Sequence, residues 1–270
     1  MNENILVSAA HLKKEYRLGR NSSVTAVNDV SLDIYKGETL ALVGESGCGK
    51  STLAKLLMCM IRADEGTVLF DGKEISSLSD KALLPYRKEM QMVFQDPASS
   101  LDPRMKIRDI IAEPLKTWKI YDTPQKTEER ILELLDMVEL NEESLDRYPH
   151  QFSGGQKQRI GIARAIALKP ALLICDESVS ALDVCVQAQI LNLLKKLKKQ
   201  LGLTCLFISH DLSVVSFIAD RVCVMKDGSI CELAPADRLY AAPEHEYTKY
   251  LLASIPRPEC HSPSYNPAKP

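Results

Sequence analysis

The sequence predicts an α/β protein built around a mostly parallel sheet. Short apolar segments typical of strands alternate with segments whose apolar residues recur at helical spacing. The clearest strand covers residues 39–43, a continuous apolar run of the kind that is buried on both faces of a sheet. It leads into a glycine-rich loop and then a helical pattern over residues 50–60.

Two groups of predicted strands are separated by a helical stretch. The further strands cover residues 66–70, 92–94, 171–175, 205–208 and 222–225. Between residues 96 and 151 no buried strand is predicted, and residues 126–140 carry apolar side chains at helical spacing. A long helix is predicted over residues 184–201, ending at Gly202. We therefore expect a sheet with an inserted helical subdomain.

The composition is that of a soluble globular protein and argues against a dedicated nucleic-acid binder. The 34 basic and 36 acidic side chains nearly balance, whereas phosphate binding along a nucleic acid favours a basic excess. No apolar run approaches the roughly 18 residues that a membrane span needs. The first residues lack the basic start and apolar stretch of a signal peptide. We expect a cytoplasmic protein whose membrane association comes through a partner.

The eight cysteines are scattered along the chain. They form no C-x-x-C pair and have no histidine at zinc-binding spacing. Cys175, Cys205 and Cys223 lie inside predicted strands, where a thiol behaves as a small hydrophobic group. We expect the cysteines to be reduced, buried and unpaired.

The segment after the first buried strand matches the phosphate-loop pattern G-x-x-x-x-G-K-[ST]. It reads Gly44-Glu45-Ser46-Gly47-Cys48-Gly49-Lys50-Ser51. Glycines let backbone amides surround a triphosphate, and the following helix contributes the positive end of its dipole. Lys50 is expected to neutralise phosphate charge, and the Ser51 hydroxyl to bind Mg²⁺. We expect residues 44–51 and Thr52 to contact ATP.

Two consecutive acids, Asp176 and Glu177, end the apolar segment 172–175. Carboxylates at the mouth of a buried strand are costly unless they face a cation or a polar ligand. Asp176 suits a Mg²⁺ site, and Glu177 suits a base that polarises the attacking water. Taken alone, the pair could also be acids that open a loop. The phosphate loop upstream favours the catalytic interpretation.

A third motif, Ser153-Gly154-Gly155-Gln156, resembles the signature motif of ABC transporter ATPases. It lies between the phosphate loop and the acidic strand, as in that family. A serine at a helix start followed by two glycines can bind an anion, although an isolated motif of this kind is more often a glycine turn. The resemblance implies a head-to-tail dimer in which each ATP lies between the Lys50 loop of one subunit and the Ser153 loop of the other.

The resemblance also implies the architecture. The expected fold is a P-loop ABC cassette over residues 5–254, with a RecA-like parallel core and an N-terminal antiparallel β subdomain. A helical subdomain is expected over about residues 96–160. A C-terminal extension of the oligopeptide-transporter type, with a flexible tail, is expected over residues 235–270.

Other family elements can be matched residue by residue. Gln95 resembles the Q-loop glutamine, which contacts Mg²⁺ and the attacking water, and His210 resembles the switch histidine, which contacts the γ-phosphate. Residues 180–183 resemble the D-loop of the dimer interface. Tyr16 resembles the aromatic residue that stacks on adenine, although Tyr35 lies near in sequence and a core role is common. Lys50, Gln95, Glu177 and His210 are the expected catalytic residues.

Residues 95–105, 148–152 and 245–252 resemble the peptide and nickel import branch, and most closely the second ATPase subunit of oligopeptide or dipeptide importers. Ser178 and Glu246 stand where that branch usually has proline. The resemblance implies a peripheral protein at the cytoplasmic face of the membrane. Its partners would be a second cassette, two permease subunits and, indirectly, an extracytoplasmic solute-binding protein. A related second chain is favoured over an identical copy, and peptide, nickel and other small solutes remain open.

Other classes fit the motifs less well. A soluble ABC ATPase of DNA repair would carry long coiled coils or a zinc module between Gln95 and Ser153, where only a compact helical insert fits. A translation-type factor would carry two cassettes per chain. A small-molecule kinase would explain the phosphate loop but not the motif at residues 153–156.

Overall fold

The computed structural model describes residues 4–17, 19 and 22–254. The part of the predicted flexible tail that begins at residue 255 lies outside the described residues. The strands are β1 (Ile5–Arg17), β2 (Ser23–Tyr35), β3 (Thr39–Val43), β4 (Glu65–Phe70), β5 (Lys73–Glu74), β6 (Met90–Val93), β7 (Leu172–Asp176), β8 (Thr204–Ser209), β9 (Arg221–Lys226) and β10 (Ser229–Pro235).

The α-helices are α1 (Lys50–Leu57), α2 (Asp80–Glu89), α3 (Pro97–Ser100), α4 (Ile107–Thr117), α5 (Pro124–Met137), α6 (Gly154–Ile166), α7 (Val184–Leu201), α8 (Leu212–Ile218), α9 (Ala236–Ala241) and α10 (Glu246–Ala253). Two 3₁₀ helices cover Glu142–Asp146 and Pro149–Gln151.

The larger sheet has six strands in the order β10-β9-β3-β8-β7-β6. All neighbouring pairs from β9 to β6 are parallel, and β10 joins the edge antiparallel to β9. Alternate side chains of β3 enter two different apolar clusters, Ala41 and Val43 on one face and Leu40 and Leu42 on the other. The continuous apolar run of this strand is thus explained, and the predicted parallel core is confirmed.

The smaller sheet is antiparallel, with strand order β2-β1-β4-β5. Its buried residues, such as Leu12 and Ile34, share one apolar cluster with Leu53 and Leu57 of α1 and with Leu42 of the large sheet. The antiparallel β subdomain therefore packs on the same face of the parallel sheet as the helix that follows the phosphate loop, which confirms this part of the predicted fold.

Helices fill the chain between β6 and β7. Helix α5 buries Ile131, Leu134 and Leu135, as its spacing predicts, but it covers residues 124–137 rather than 126–140. The Thr123 hydroxyl caps its start by accepting a hydrogen bond from the Lys126 amide. Helix α6 continues past residue 160 to Ile166. The predicted limits of the cassette, the helical subdomain and the C-terminal extension stay predictions.

Two local predictions are wrong. Helix α1 ends at Leu57 rather than at residue 60, and Cys59 just beyond it has a left-handed φ of 51°, which a continuing helix does not allow. The expectation that the thiols are buried fails for Cys185, which is exposed in the first turn of α7, and is met only in part by Cys59 and Cys231, which are half-buried. Cys260 lies outside the described residues. Among the described helices, none has the length and apolarity that crossing a membrane requires.

Candidate functional site

Four predicted functional segments meet at one edge of the parallel sheet. The phosphate loop follows β3, Gln95 follows β6, Glu177 follows β7 and His210 follows β8. Strands β3, β8, β7 and β6 are parallel neighbours, so their carboxyl ends point the same way. In α/β proteins ligands bind at such an edge, in the crevice beyond the strand ends.

The phosphate loop lies directly on neighbouring backbone. A Cβ atom at Gly44 would lie 2.1 Å from the carbonyl oxygen of Met225 in β9, and one at Gly49 would lie 2.0 Å from that of Ala26 in β2. Both glycines also have left-handed φ angles, 152° and 105°. Only glycine satisfies both conditions at these positions, which explains two of the three glycines in the motif.

Lys50 is 4% exposed and lies inside the loop. Its Nζ donates hydrogen bonds of 2.8 Å to the carbonyl oxygens of Gly44 and Glu45. The same ammonium lies 3.9 Å from Cys48 Sγ, and burial raises the pKa of that thiol. The loop therefore holds one cation at its centre, surrounded by backbone oxygens and a protonated thiol.

Ser51 and Asp176 pair beside the loop. Ser51 Oγ donates a hydrogen bond of 3.0 Å to Asp176 Oδ1, and Thr52 follows in the first turn of α1. Asp176 is 7% exposed, and burial raises the pKa of its carboxyl, although the bond from Ser51 lowers it. Hydroxyl and carboxylate oxygens are the ligand types that Mg²⁺ prefers, so this pair fits the predicted metal role.

Glu177 lies at the centre of three strand ends. Gln95 Nε2 donates a hydrogen bond of 2.8 Å to Glu177 Oε2, and His210 Nδ1 lies 3.5 Å from Oε1. The Glu177 backbone has a left-handed φ of 44°, and its N–H donates to the carbonyl of Ile208 at 3.0 Å. Its carbonyl accepts from the amide and hydroxyl of Ser180. The backbone bonds hold Glu177 in a conformation that is uncommon for residues other than glycine, and the contacts of Gln95 and His210 hold its carboxylate.

The motif at residues 153–156 lies at the start of α6 and not at the sheet edge described above. Ser153 caps α6: its Oγ accepts from the Gln156 amide at 3.3 Å, and Gln156 Oε1 accepts from the Ser153 amide at 3.0 Å. Ser153 and Gly154 are exposed, whereas Gly155 packs on Val186 of α7. No hydrogen bond among the described residues joins this turn to the phosphate loop. Within one chain it therefore presents its polar side to the exterior.

Tyr16 also lies outside the cluster around Glu177. It pairs with Val24 across β1 and β2, and its side chain is 40% exposed, with Lys14 Nζ 5.8 Å from the ring centroid. Strand β2 also supplies the Ala26 carbonyl that lies against Gly49 of the loop. The ring is accessible and stands on the sheet that borders the phosphate loop.

Two contacts of the phosphate loop were not predicted from the sequence. The hydroxyl of Tyr247, in α10, accepts a hydrogen bond of 3.2 Å from the Glu45 amide of the phosphate loop. The Gly228 amide in the β9–β10 turn also donates to the Cys48 carbonyl, at 3.1 Å. No pattern in the sequence relates position 247 to position 45. The resemblance of residues 245–252 to a transporter extension marked the segment but not its role.

Known proteins are similar to this chain over most of its length. The chain is 54% identical over 255 residues to the oligopeptide transport ATP-binding protein OppF of Bacillus subtilis, covering 94% of this chain and 83% of the relative. It is 47% identical over 256 residues to the dipeptide transport ATP-binding protein DppF of Lactococcus lactis, covering 94% of this chain and 82% of the relative.

Solved cassettes have the same fold. The dimeric post-hydrolysis structure of the ATP-binding cassette MJ0796, bound to ADP and Pi, superposes with a TM-score of 0.77 at 32% identity, over 86% of this chain and 99% of that one. The CbiO1 structure from Clostridium perfringens gives a TM-score of 0.79 at 28% identity, over 94% and 97%. The model of the ABC transporter family matches residues 27–180. The chain therefore belongs to the ABC transporter family, as one of its ATP-binding cassettes.

Proposed function

We propose that this ATPase drives the import of peptides and that it hydrolyses ATP at the sheet edge occupied by Lys50, Asp176 and Glu177. The observation that carries the proposal is the convergence of Gln95 and His210 on the two carboxylate oxygens of Glu177. An acid held between an amide donor and an imidazole, beside a phosphate loop, suits general-base chemistry on a water molecule.

Each side chain then has a distinct role. Lys50 exchanges the carbonyl oxygens of the loop for the β- and γ-phosphates of ATP, because a phosphate is the stronger acceptor for an ammonium. Glu177 orients and deprotonates the attacking water. Gln95 positions that water, and His210 contacts the γ-phosphate. Tyr16, exposed near the end of β1, stacks on the adenine.

Ser51 and Asp176 would hold Mg²⁺, with Gln95 near it. The fit is supported by the buried carboxylate of Asp176, which has the Ser51 hydroxyl as a partner and a raised pKa that a cation would lower again. When bound, the ion neutralises charge on the transferred phosphate.

The second half of each site comes from a partner cassette. Ser153 and Gly154 are exposed at the start of α6, and no hydrogen bond among the described residues joins them to the phosphate loop of their own chain. A serine oxygen, the backbone amides of a first helical turn and the positive end of a helix suit a γ-phosphate presented by another subunit. We favour a related second chain as that subunit, with an identical copy as the alternative.

The membrane-spanning subunits would dock beside Gln95. A cleft of about 650 Å³ separates the sheet edge at β6 from helices α4 and α6. Its lining includes the apolar side chains of Met58, Met60, Met90, Phe94 and Trp118, together with Glu113. An amphipathic helix from a permease fits such a groove. This arrangement would place the cassette at the cytoplasmic face of the membrane and transmit movement of Gln95 to two permease subunits.

The peptide assignment is supported by the names of the relatives, which are oligopeptide and dipeptide transport ATP-binding proteins. The cassette itself would not contact the solute, which is selected by the permease and an extracytoplasmic binding protein. Uptake of labelled di- and oligopeptides and of Ni²⁺, measured in a strain lacking this chain, tests the assignment. Loss of peptide uptake supports it, and loss of Ni²⁺ uptake alone overturns it.

The ATP site is tested with Lys50→Ala against Lys73→Ala, a control on the exposed strand β5. We expect Lys50→Ala to abolish tight Mg-ATP binding, measured by calorimetry, because the phosphates lose a buried charge partner. The control should bind as the wild type does. Equal affinity of Lys50→Ala and the control would show that ATP binds elsewhere.

A further inference from the structure

One peptide group of the phosphate loop is held from both sides. The carbonyl oxygen of Gly44 accepts a hydrogen bond of 2.8 Å from Lys50 Nζ. The N–H of Glu45, in the same peptide group, donates a bond of 3.2 Å to the hydroxyl of Tyr247. Because a trans peptide is planar and its C=O and N–H point in opposite directions, Tyr247 fixes the direction in which the Gly44 carbonyl points.

Tyr247 has little freedom to move. Its side chain is 7% exposed and joins the apolar cluster under the parallel sheet. Lys226 Nζ, at the end of β9, lies 5.0 Å from the centre of its ring. The hydroxyl is therefore presented to the loop by a ring that is held by packing and by a cation.

The start of α10 is itself fixed to the sheet. Glu232 of β10 accepts hydrogen bonds of 3.0 Å from the amides of both Glu244 and His245. His245 Nδ1 accepts from the Tyr247 amide at 3.1 Å and caps the helix. These bonds connect the large sheet, the first turn of α10 and the phosphate loop in one continuous chain of contacts.

We propose that Tyr247 is a positioning residue for the phosphate loop, which holds the Gly44–Glu45 peptide in the orientation that receives ATP. The proposal rests on the phosphate-binding role of Lys50 given above. When the Lys50 ammonium leaves the Gly44 carbonyl for a phosphate, the bond to Tyr247 remains and keeps the peptide plane in place. The loop is then ordered before ATP binds, so binding does not have to supply that ordering.

Tyr247→Phe tests this directly, because it removes the hydroxyl and keeps the ring. The matched control is Tyr250→Phe, on the same helix, where the side chain is 64% exposed. Without the hydroxyl a smaller fraction of loops is in the binding orientation, and apparent affinity falls by that fraction. We expect the Kd for Mg-ATP to rise about three- to tenfold, the effect of one ordinary hydrogen bond. The kcat at saturating ATP should stay close to that of the wild type.

A second measurement is hydrogen–deuterium exchange over residues 44–50 without nucleotide, which should quicken in Tyr247→Phe and not in Tyr250→Phe. Unchanged Mg-ATP affinity in Tyr247→Phe, or an equal loss in Tyr250→Phe, overturns the proposal. If Tyr247→Phe does not fold, Glu232→Gln is measured in its place, because it weakens the bonds that hold the start of the same helix. Unchanged Mg-ATP affinity in that variant overturns the proposal. Failure of the ATP site itself would appear separately, as wild-type affinity in Lys50→Ala.

Discussion

Gln95 Nε2 lies 2.8 Å from Oε2 of Glu177, so the residue that leads into the helical insert is bonded to the proposed catalytic base. The two residues follow the neighbouring parallel strands β6 and β7. Any shift of the helical insert that carries Gln95 with it changes the surroundings of the carboxylate. We therefore expect movement of the insert and hydrolysis to be linked through this hydrogen bond.

Replacing Glu177 by Gln should separate ATP binding from hydrolysis. The amide keeps the shape of the side chain and still accepts one hydrogen bond, but it cannot take a proton from water. We expect kcat to fall by about a hundredfold or more, with the Kd for Mg-ATP nearly unchanged. With the partner cassette present, a nucleotide-bridged dimer should accumulate on a sizing column. Hydrolysis at the wild-type rate would remove Glu177 from the role of base.

Gln95→Ala should lower kcat without weakening ATP binding. Loss of a hydrogen bond to a charged group leaves the Glu177 carboxylate less well oriented, and we expect a decrease of about tenfold. Gln95 is exposed, so the thermal midpoint should not move. Steady-state ATPase assays and thermal denaturation measure the two effects. A parallel loss of kcat and of thermal stability would instead indicate a structural role.

Ser153→Arg should block dimer closure and spare ATP binding by the single chain. The larger, charged side chain would project from an exposed turn into the space proposed for the partner's phosphate. Ser153→Ala is the comparison, because it loses both the helix cap, worth about 1 kcal/mol, and the proposed phosphate contact without adding bulk, so a larger effect of Ser153→Arg is due to the added side chain. Light scattering with the partner cassette and ATP compares the two. Normal ATP-dependent association of Ser153→Arg would exclude the composite site.

Two glycines of the phosphate loop should respond very differently to alanine. Gly44 and Gly47 both have left-handed φ angles, but a Cβ at Gly44 would lie 2.1 Å from the Met225 carbonyl, whereas Gly47 has open space. Gly47→Ala should cost only the backbone strain, about 1–2 kcal/mol. Gly44→Ala should lower the free energy of unfolding by more, since backbone must move. Urea denaturation measures both, and equal losses would contradict the close approach.

Acid should loosen α10 from the sheet. Burial raises the pKa of Glu232. The hydrogen bonds from the amides of Glu244 and His245 lower it by more, so the pKa of this carboxyl lies below its ordinary value of 4.5. Because the folded pKa is the lower one, this stabilisation is complete above the unfolded pKa and is lost as pH falls through the folded pKa. The thermal midpoint of the wild type should exceed that of Glu232→Gln at pH 7. The gap should narrow as pH falls below about 4; a constant gap would contradict the ionic role.

The core and the chemical motifs could be predicted from sequence because each depends on residues close together in the chain. Residues 39–43 are all buried, which their continuous apolar run indicates. The phosphate loop and the pair Asp176 and Glu177 are contiguous motifs at strand ends. Once the strands are parallel neighbours, their carboxyl ends must meet, so the grouping of these motifs follows from the fold.

What could not be predicted depends on pairing between distant segments. The order of the six strands is set by contacts between residues far apart in sequence, for which a single chain carries no local signal. The bond from Glu45 to Tyr247 is of the same kind. Exposure of Cys185 was missed because the residue lies in the predicted helix 184–201, and which side of that helix faces solvent depends on its packing.

The most direct test is a structure of the assembled transporter carrying Glu177→Gln, determined by electron cryomicroscopy with Mg-ATP. We expect the γ-phosphate within about 3 Å of Lys50 Nζ on one side. Ser153 of this chain should contact the nucleotide held by the partner cassette. Phosphates that lie away from Lys50, or a nucleotide that this chain binds without any partner loop against it, would contradict the composite site.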